Sequence, residues 1–180
     1  MSKNVLVISS SLRANSNSES LARAFAEGAV QAGNSCEIIS LKDKKIAFCM
    51  GCLACQKISH CVIADDALEI TEKMKNADCI AFVTPIYYYE MAGQLKTVLD
   101  RANSLYPSDY SFRDIYFLSC AAEDEKETPE RAQAGIEGWI DCFDKARLAG
   151  SVFAGGVNKA GEIDGHSAID EAKKLGASIK

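Results

Sequence analysis

Residues 4–18 read NVLVISSSLRANSNS, an apolar run that passes directly into serines and asparagines around one arginine. The apolar half, residues 4–9, is rich in valine and isoleucine and predicts a short buried β-strand. Residues 18–32 follow with apolar side chains at helical spacing, so the polar half leads into a helix N-terminus. Ser16 and Glu19 have the spacing of a capping box at that terminus. A strand, a polar turn and a helix in this order indicate the first unit of an α/β fold.

The rest of the chain repeats this alternation. Apolar runs at 35–40, 79–84, 113–119 and 150–154 predict four more strands, and helical patterns end at 76 or cover 93–104, 129–146 and 167–175. Asp66 with Glu69, and Thr128, are the predicted caps of two of these helices. We expect a single α/β domain over residues 1–180 with a five-stranded parallel sheet. Residues 41–64, after the second strand, form the one long irregular stretch, and long loops in compact domains are often functional.

The polar turn at residues 9–18 has chemistry suited to an anion. A helix N-terminus offers unpaired N–H groups and a partial positive charge, hydroxyls add donors, and Arg13 can add a charge-assisted hydrogen bond. The fingerprints G-x-G-x-x-G and G-x-x-x-x-G-K-[ST] are absent from this turn, which favours a monophosphate. A plain polar turn with a helix cap is the alternative. Its position after the first strand, where doubly wound sheets bind ligands, favours the phosphate.

A second stretch, residues 84–96, reads TPIYYYEMAGQLK and follows the third strand. Together with the polar turn, and with AGGV at 154–157 and GEI at 161–163, it resembles the NADPH-dependent FMN reductase family, especially its iron–sulfur flavoprotein branch. The resemblance implies a flavodoxin-like three-layer sandwich with the five parallel strands in order 2-1-3-4-5. In that order the loops after strands one and three are neighbours. The resemblance therefore implies bound FMN, with NAD(P)H as a transient co-substrate.

The resemblance also assigns residues to the two halves of FMN. Phosphate binding falls on the polar turn, at Ser11, Arg13, Ser16, Asn17 and Ser18. Ring binding falls on the loops after strands three and four, at Pro85, Ile86, Tyr87, Tyr88, Ser119, Cys120 and Ala121. The third tyrosine, Tyr89, is assigned to packing or to a dimer surface, since aromatic residues are common at interfaces. No catalytic acid, base or nucleophile is predicted, because the flavin performs the bond chemistry.

Four cysteines follow the pattern C-x2-C-x2-C-x5-C within residues 49–61: Cys49, Cys52, Cys55 and Cys61. Four thiolates on one short loop are a usual ligand set for a [4Fe-4S] cluster, and the motif resembles that of iron–sulfur flavoproteins. Zinc and free thiols are the alternatives, although structural zinc sites usually pair two separated C-x2-C units. The other cysteines, Cys36, Cys79, Cys120 and Cys142, lie in predicted strands or helices. There we expect them to be small buried apolar side chains.

Charge and hydropathy exclude several classes of partner. The net charge is −5, with no basic cluster beyond residues 42–45, so nucleic-acid binding is not expected. The apolar runs are far shorter than the roughly 20 residues of a membrane-spanning helix, so no membrane association is expected. Because residues 1–5 lack the features of a secretory signal, we expect a cytoplasmic protein.

The sequence thus predicts an FMN-dependent NAD(P)H oxidoreductase of the flavin or quinone reductase type. Hydride would pass from NAD(P)H through FMN to a small-molecule acceptor or a redox partner protein. The alternative is an iron–sulfur flavoprotein that carries electrons between ferredoxin, a [4Fe-4S] cluster and FMN. A third alternative is a flavin- or metal-binding module without turnover. The resemblance also implies a homodimer or homotetramer.

Overall fold

The computed structural model describes residues 2–180, which surround one central sheet. Its five parallel strands are β1 (Asn4–Ser9), β2 (Ser35–Ser40), β3 (Cys79–Tyr87), β5 (Asp114–Cys120) and β6 (Arg147–Ala154). They lie in the order β2-β1-β3-β5-β6, which confirms the predicted 2-1-3-4-5 when the parallel strands alone are numbered. The two-residue strand β4 (Glu90–Met91) pairs antiparallel with the end of β3 and was not predicted.

Helices cover both faces of the sheet. They are α1 (Asn17–Gln31), α2 (Cys55–Ile58), α3 (Ala67–Asn76), α4 (Gly93–Arg101), α5 (Glu130–Ile140) and α6 (Ser167–Ala177), and a 3₁₀ turn, Ala102–Leu105, extends α4. Helices α1 and α6 pack with Val5 and Val7 of β1 on one face. Helices α3, α4 and α5 pack with Leu6 and Ile8 on the other. Successive strand residues point to opposite faces, so a parallel strand covered on both sides is apolar throughout.

Two glycines bring α1 and α6 into backbone contact. A Cβ placed on Gly28 of α1 would lie 1.9 Å from the carbonyl oxygen of Lys173. A Cβ placed on Gly176 of α6 would lie 2.0 Å from the carbonyl oxygen of Phe25. Only glycine permits this approach, and the contact fixes the helix whose N-terminus borders the functional cleft.

One predicted helix cap is confirmed, and the capping box at Asp66 is wrong. The Ser16 Oγ accepts the Glu19 N–H at 3.1 Å. Asp66 has a helical backbone and makes no side-chain cap, because its carboxylate accepts the N–H of Lys45 at 2.6 Å instead. The predicted partner Glu69 forms an ion pair with Lys73 at 2.9 Å. Local spacing did not reveal the competition from the loop at Lys45.

The predicted Thr128 cap is also wrong. Helix α5 begins at Glu130 after Pro129, with no side-chain cap, and the buried Thr128 Oγ1 has no partner within the described part of the chain. The same helix ends at Ile140, earlier than predicted. Its end is set by tertiary packing, since the turn that follows places Phe143 in the core. Among residues 2–180, no helix combines the length and apolar character needed to cross a membrane.

Candidate functional site

A cleft opens at the carboxyl edge of the sheet, where β1, β3 and β5 end side by side. It is formed by the polar turn, the loops after β3 and β5, and a segment after β6. The lining residues are Ser11, Arg13, Ser16, Asn17, Ser18, Pro85, Ile86, Tyr87, Cys120, Ala121, Ala122, Val157, Asn158 and Ala160. The fold thus brings together the predicted cofactor-binding residues, apart from Tyr88 and Ser119.

Ser119 and Tyr88 lie outside the lining for different reasons. Ser119 precedes Cys120 in β5, and because successive strand residues point to opposite faces, it points away from the face that Cys120 shares with α1. Its Oγ is buried without a partner among residues 2–180. Tyr88 is 98% exposed at the tip of a turn beyond the cleft.

The cleft has the electrostatics of an anion site. The N–H groups of Asn17 and Ser18 belong to the first turn of α1, where a helix provides no acceptor. Arg13 is the only charged side chain among the lining residues that the structure describes. A helix N-terminus and one arginine, with no carboxylate in the lining, favour a bound phosphate.

A segment after β6 closes one side of the cleft and is tied to the polar turn. The Arg13 Nη1 donates to the carbonyl of Asn158 at 2.8 Å. The Asn17 Nδ2 donates to the carbonyl of Lys159 at 3.0 Å, and its Oδ1 accepts the N–H of Gly161 at 3.1 Å. The Asn17 side chain therefore holds this segment. The backbone N–H of Asn17 is then the group of this residue that can bind an anion.

Sequence reasoning missed residues 157–160 as part of the site. The glycines around them were quoted only for the family resemblance, although glycines at Gly156 and Gly161 with φ of 71° and 84° indicate a sharply turned loop. Glu162 stabilises that loop, since its Oε2 accepts the N–H groups of Asn158 and Lys159, each at 2.7 Å. The hydrogen bonds from Lys159 and then Asn158 hold the pKa of Glu162 below its usual value.

Cys120 joins the end of β5 to the start of α1. Its Sγ lies 3.1 Å from the Oγ of Ser18. Burial raises the pKa of the Cys120 thiol, against the opposing effects of the Ser18 hydrogen bond and the Arg13 charge. The thiol is therefore a neutral group at neutral pH, compatible with a neighbouring phosphate.

Two of the three consecutive tyrosines form a strained turn. Tyr87 pairs with Glu90 across β3 and β4, which leaves Tyr88 and Tyr89 as a two-residue hairpin loop with φ of 52° and 67°. Positive φ at both positions defines a turn that normally favours Asn-Gly. A non-glycine residue in this region costs roughly 1–2 kcal/mol. The choice of tyrosine is therefore not explained by the backbone.

Tyr89 is anchored within its own chain. The nearby Glu123 carboxylate raises the pKa of Tyr89. The Arg131 guanidinium lies 5.7 Å from the centre of the Tyr89 ring, a cation–π distance. Tyr89 is itself 45% exposed, so packing or a dimer surface stays a prediction for this residue.

The four-cysteine loop carries donors suited to a soft metal, but their arrangement does not gather them. Cys49 and Cys52 are exposed and Cys61 is half-buried, whereas Cys55 is buried and its Sγ accepts from the Asn103 Nδ2 at 3.4 Å. Within residues 2–180, no three His, Cys, Asp or Glu side chains are close enough together to hold a metal ion. The loop in this conformation therefore does not fit a cluster or a zinc ion.

The remaining cysteines differ in burial. Cys79 and Cys120 are buried as predicted, and burial raises the pKa of Cys79 to about 11. Cys36 is only half-buried because β2 is an edge strand, and burial raises its pKa to about 11. Cys142 is exposed, and its predicted burial is wrong because α5 ends before it.

Comparison with known proteins places these features in context. Residues 3–128 match the family described as NADPH-dependent FMN reductase. The chain is 34% identical over 173 residues to an iron-sulfur flavoprotein of Methanosarcina thermophila, across 93% of this chain and 91% of that protein. It is 39% identical over 101 residues to an iron-sulfur flavoprotein of Methanocaldococcus jannaschii, across 56% of this chain and 52% of the relative. The chain thus spans about half the length of that relative.

Solved structures share the fold at low sequence identity. An NAD(P)H:quinone oxidoreductase from Methanothermobacter marburgensis superposes with a TM-score of 0.74 at 17% identity, across 98% of this chain and 96% of that one. An azoreductase from Bacillus anthracis superposes with a TM-score of 0.73 at 16% identity, across 99% and 100% of the two chains. At these identities the likeness confirms the flavodoxin-like architecture.

Proposed function

This chain belongs to the NADPH-dependent FMN reductase family, and from that premise we propose that it is an FMN-dependent NAD(P)H oxidoreductase of the flavin or quinone reductase type. The observation that carries the proposal is the charge pattern of the cleft. Arg13 and the first N–H groups of α1 face a lining without carboxylates. A phosphate dianion gains hydrogen bonds from these groups and meets no repulsion there.

The residues of the cleft fit the two halves of FMN. Arg13, the Ser11 hydroxyl and the N–H of Ser18 would hold the phosphate, while Pro85 and Tyr87 border the place for a flat ring. When bound, FMN supplies hydride transfer, which amino-acid side chains do not provide. The protein's own part is to bind and orient the ring at the edge of a rigid sheet.

Substituting Arg13 tests this assignment. We expect Arg13→Gln to weaken FMN binding about 10- to 100-fold through the loss of a charge-assisted hydrogen bond. Riboflavin lacks the phosphate, so its affinity should stay unchanged. Arg23→Gln is the matched control, since Arg23 lies in α1, the helix that follows the same turn, but pairs with Glu19 on the exposed side. Equal FMN affinity in wild type and Arg13→Gln, measured by flavin fluorescence, would overturn the phosphate assignment.

Turnover is tested separately from binding. FMN-loaded protein should oxidise NADPH or NADH steadily when a quinone is added, and this oxidation should depend on FMN. FMN binding without turnover would support a binding module or a pure electron carrier. The homodimer or homotetramer stays a prediction, checked by sedimentation of the FMN-loaded protein.

An electron carrier is the second candidate, and the four-cysteine loop favours it. The relatives described above are named iron-sulfur flavoproteins, and this chain carries Cys49, Cys52, Cys55 and Cys61 on one loop. In this proposal Cys49, Cys52, Cys55 and Cys61 would hold a [4Fe-4S] cluster once the loop gathers them, and the cluster would supply single-electron transfer. Anaerobic purification with iron and acid-labile sulfide analysis decides the question, because a carrier of this type retains both.

A further inference from the structure

We infer that Arg101 is the positioning residue of the four-cysteine loop, residues 47–65, and that it holds together the two stems of that loop, which flank the four thiols. The inference rests on the second candidate function only for its metal-binding readout. It starts from a mismatch, since the loop has four soft donors and yet does not gather them in this conformation.

The Arg101 guanidinium bridges both stems from the end of α4. Its Nη1 donates to the carbonyl of Ala47 at 2.8 Å, and its Nη2 donates to the carbonyl of Ile63 at 3.2 Å. The Asp65 carboxylate accepts hydrogen bonds from the same two nitrogens, at 2.6 and 2.9 Å. One side chain thus contacts the chain both before the first cysteine and after the last.

Asp65 extends the clamp to the backbone N–H groups of both stems. Its Oδ2 accepts the N–H of Ala47 at 2.8 Å, and its Oδ1 accepts the N–H of Ala67 at 3.0 Å. The neighbouring Asp66 accepts the N–H of Lys45 at 2.6 Å. The stems are therefore joined by charge-assisted hydrogen bonds, which are stronger than those between neutral groups.

Because the Arg101–Asp65 ion pair is buried, its desolvation costs free energy, and stability alone does not explain the pair. The Arg101 side chain is fully buried, with 0% of its surface exposed, and its Nε has no partner in the described part of the chain. Burying an ion pair seldom stabilises a protein more than apolar residues of similar size do. The planar guanidinium of Arg101, however, donates to two carbonyls and one carboxylate at the same time. A lysine ammonium does not offer this fixed geometry.

The cysteines lie between these fixed stems. The segment from Phe48 to Val62 has both of those apolar side chains exposed, and its only helix, α2, has four residues. Bringing the two ends of a loop together costs conformational entropy. Because the clamp already holds the two stems together, metal binding does not have to offset that cost. Gathering the thiols then requires movement of this segment alone.

Amide exchange and metal binding together test the inference, with Arg101→Lys as the variant. Lysine keeps the charge and loses the fork, so exchange at Ala47 and Ala67 should become about tenfold faster. Anaerobic Co²⁺, followed by its thiolate absorption bands, should bind about tenfold more weakly than to wild type. FMN affinity should stay within about twofold. Arg147→Lys is the matched control, because Arg147 pairs with Asp114 on the surface.

Unchanged exchange at Ala47 and Ala67 in folded Arg101→Lys would refute the positioning role, whatever the metal result. If Arg101→Lys does not fold, Asp65→Asn takes its place, since it keeps the shape and removes the charge from the same hydrogen bonds. Failure of wild type to bind Co²⁺ would remove the metal readout and count against the electron-carrier function, while exchange still decides the role of Arg101. Failure of wild type to bind FMN would count against the main proposed function only.

Discussion

The Sγ of Cys120 lies 3.1 Å from the Oγ of Ser18, so the end of a central strand and the first turn of α1 meet inside the cleft. The two residues are 102 positions apart in the chain. Their contact places an ionisable but neutral thiol among the groups proposed to bind phosphate.

Alkylation of Cys120 should be slow, blocked by FMN and shifted to alkaline pH. The thiolate is the reactive form, and because burial raises the Cys120 pKa, the thiolate fraction grows only above the ordinary thiol range. We expect the rate with iodoacetamide to keep rising beyond about pH 8.5, the ordinary thiol pKa. Mass spectrometry of the Cys120 peptide measures the rate. A plateau below that pH, or no protection by FMN, would contradict the placement of Cys120.

Glu162→Gln should weaken FMN binding several-fold, because the loop that receives Arg13 loses its anionic acceptor. The glutamate pKa is lowered in the folded protein. The Glu162 carboxylate therefore contributes fully to FMN binding above the usual glutamate pKa of about 4.3. This contribution is lost as the pH falls through the lower pKa of Glu162 in the folded protein. Titrations of wild type and variant at pH 7 and under acid conditions should show a ratio of dissociation constants that approaches one in acid. A ratio of dissociation constants that stays the same at both pH values would contradict the prediction.

Tyr88→Asn should stabilise the fold while slowing turnover. Asparagine tolerates positive φ better than tyrosine, so we expect a gain of about 0.5–1 kcal/mol in the free energy of unfolding in urea. Because the Tyr88 ring is exposed, we predict that it docks the ring of a co-substrate, and turnover should therefore fall. Tyr106→Asn is the control, because Tyr106 is exposed and has negative φ. A loss of stability in Tyr88→Asn equal to the control would show that the turn is not strained.

Gly176→Ala should lower stability by about 1–3 kcal/mol, the usual cost of overpacking, because the new methyl group would meet the backbone of Phe25. Gly138→Ala provides the matched comparison, since a Cβ at Gly138 of α5 meets nothing within 4 Å. It should raise stability by about 0.5–1 kcal/mol through helix propensity. Thermal unfolding followed by circular dichroism measures both, and effects of the same sign would refute the proposed contact.

Local sequence patterns predicted the strands, because the strands are short, apolar and separated by helical periodicity, and the family resemblance supplied the order of the sheet. They also located the Ser16 cap, whose donor is only three residues away. The same reasoning failed at Asp66 and Thr128. Asp66 is recruited by a loop about twenty residues earlier in the chain, and Thr128 faces a buried environment that no local spacing describes.

The candidate site divides in the same way. The polar turn and the loops after β3 and β5 were predicted, because parallel strands bring their carboxyl ends to one edge. Residues 157–160 were missed because the flanking glycines were used only for the family resemblance, and because the place of this segment depends on the Asn17 side chain. The resemblance assigned Ser119 to ring binding, although strand alternation turns its side chain away from the cleft.

The sequence by itself determined the fold class, the family, the anion-binding character of the first turn and the set of four soft donors, because these depend on residue type and short-range spacing. Only the tertiary structure decided that Tyr88 points into solvent, that Arg101 clamps the stems of the cysteine loop and that the thiols stand apart. Those features depend on contacts between residues tens of positions apart, and such contacts are set by packing.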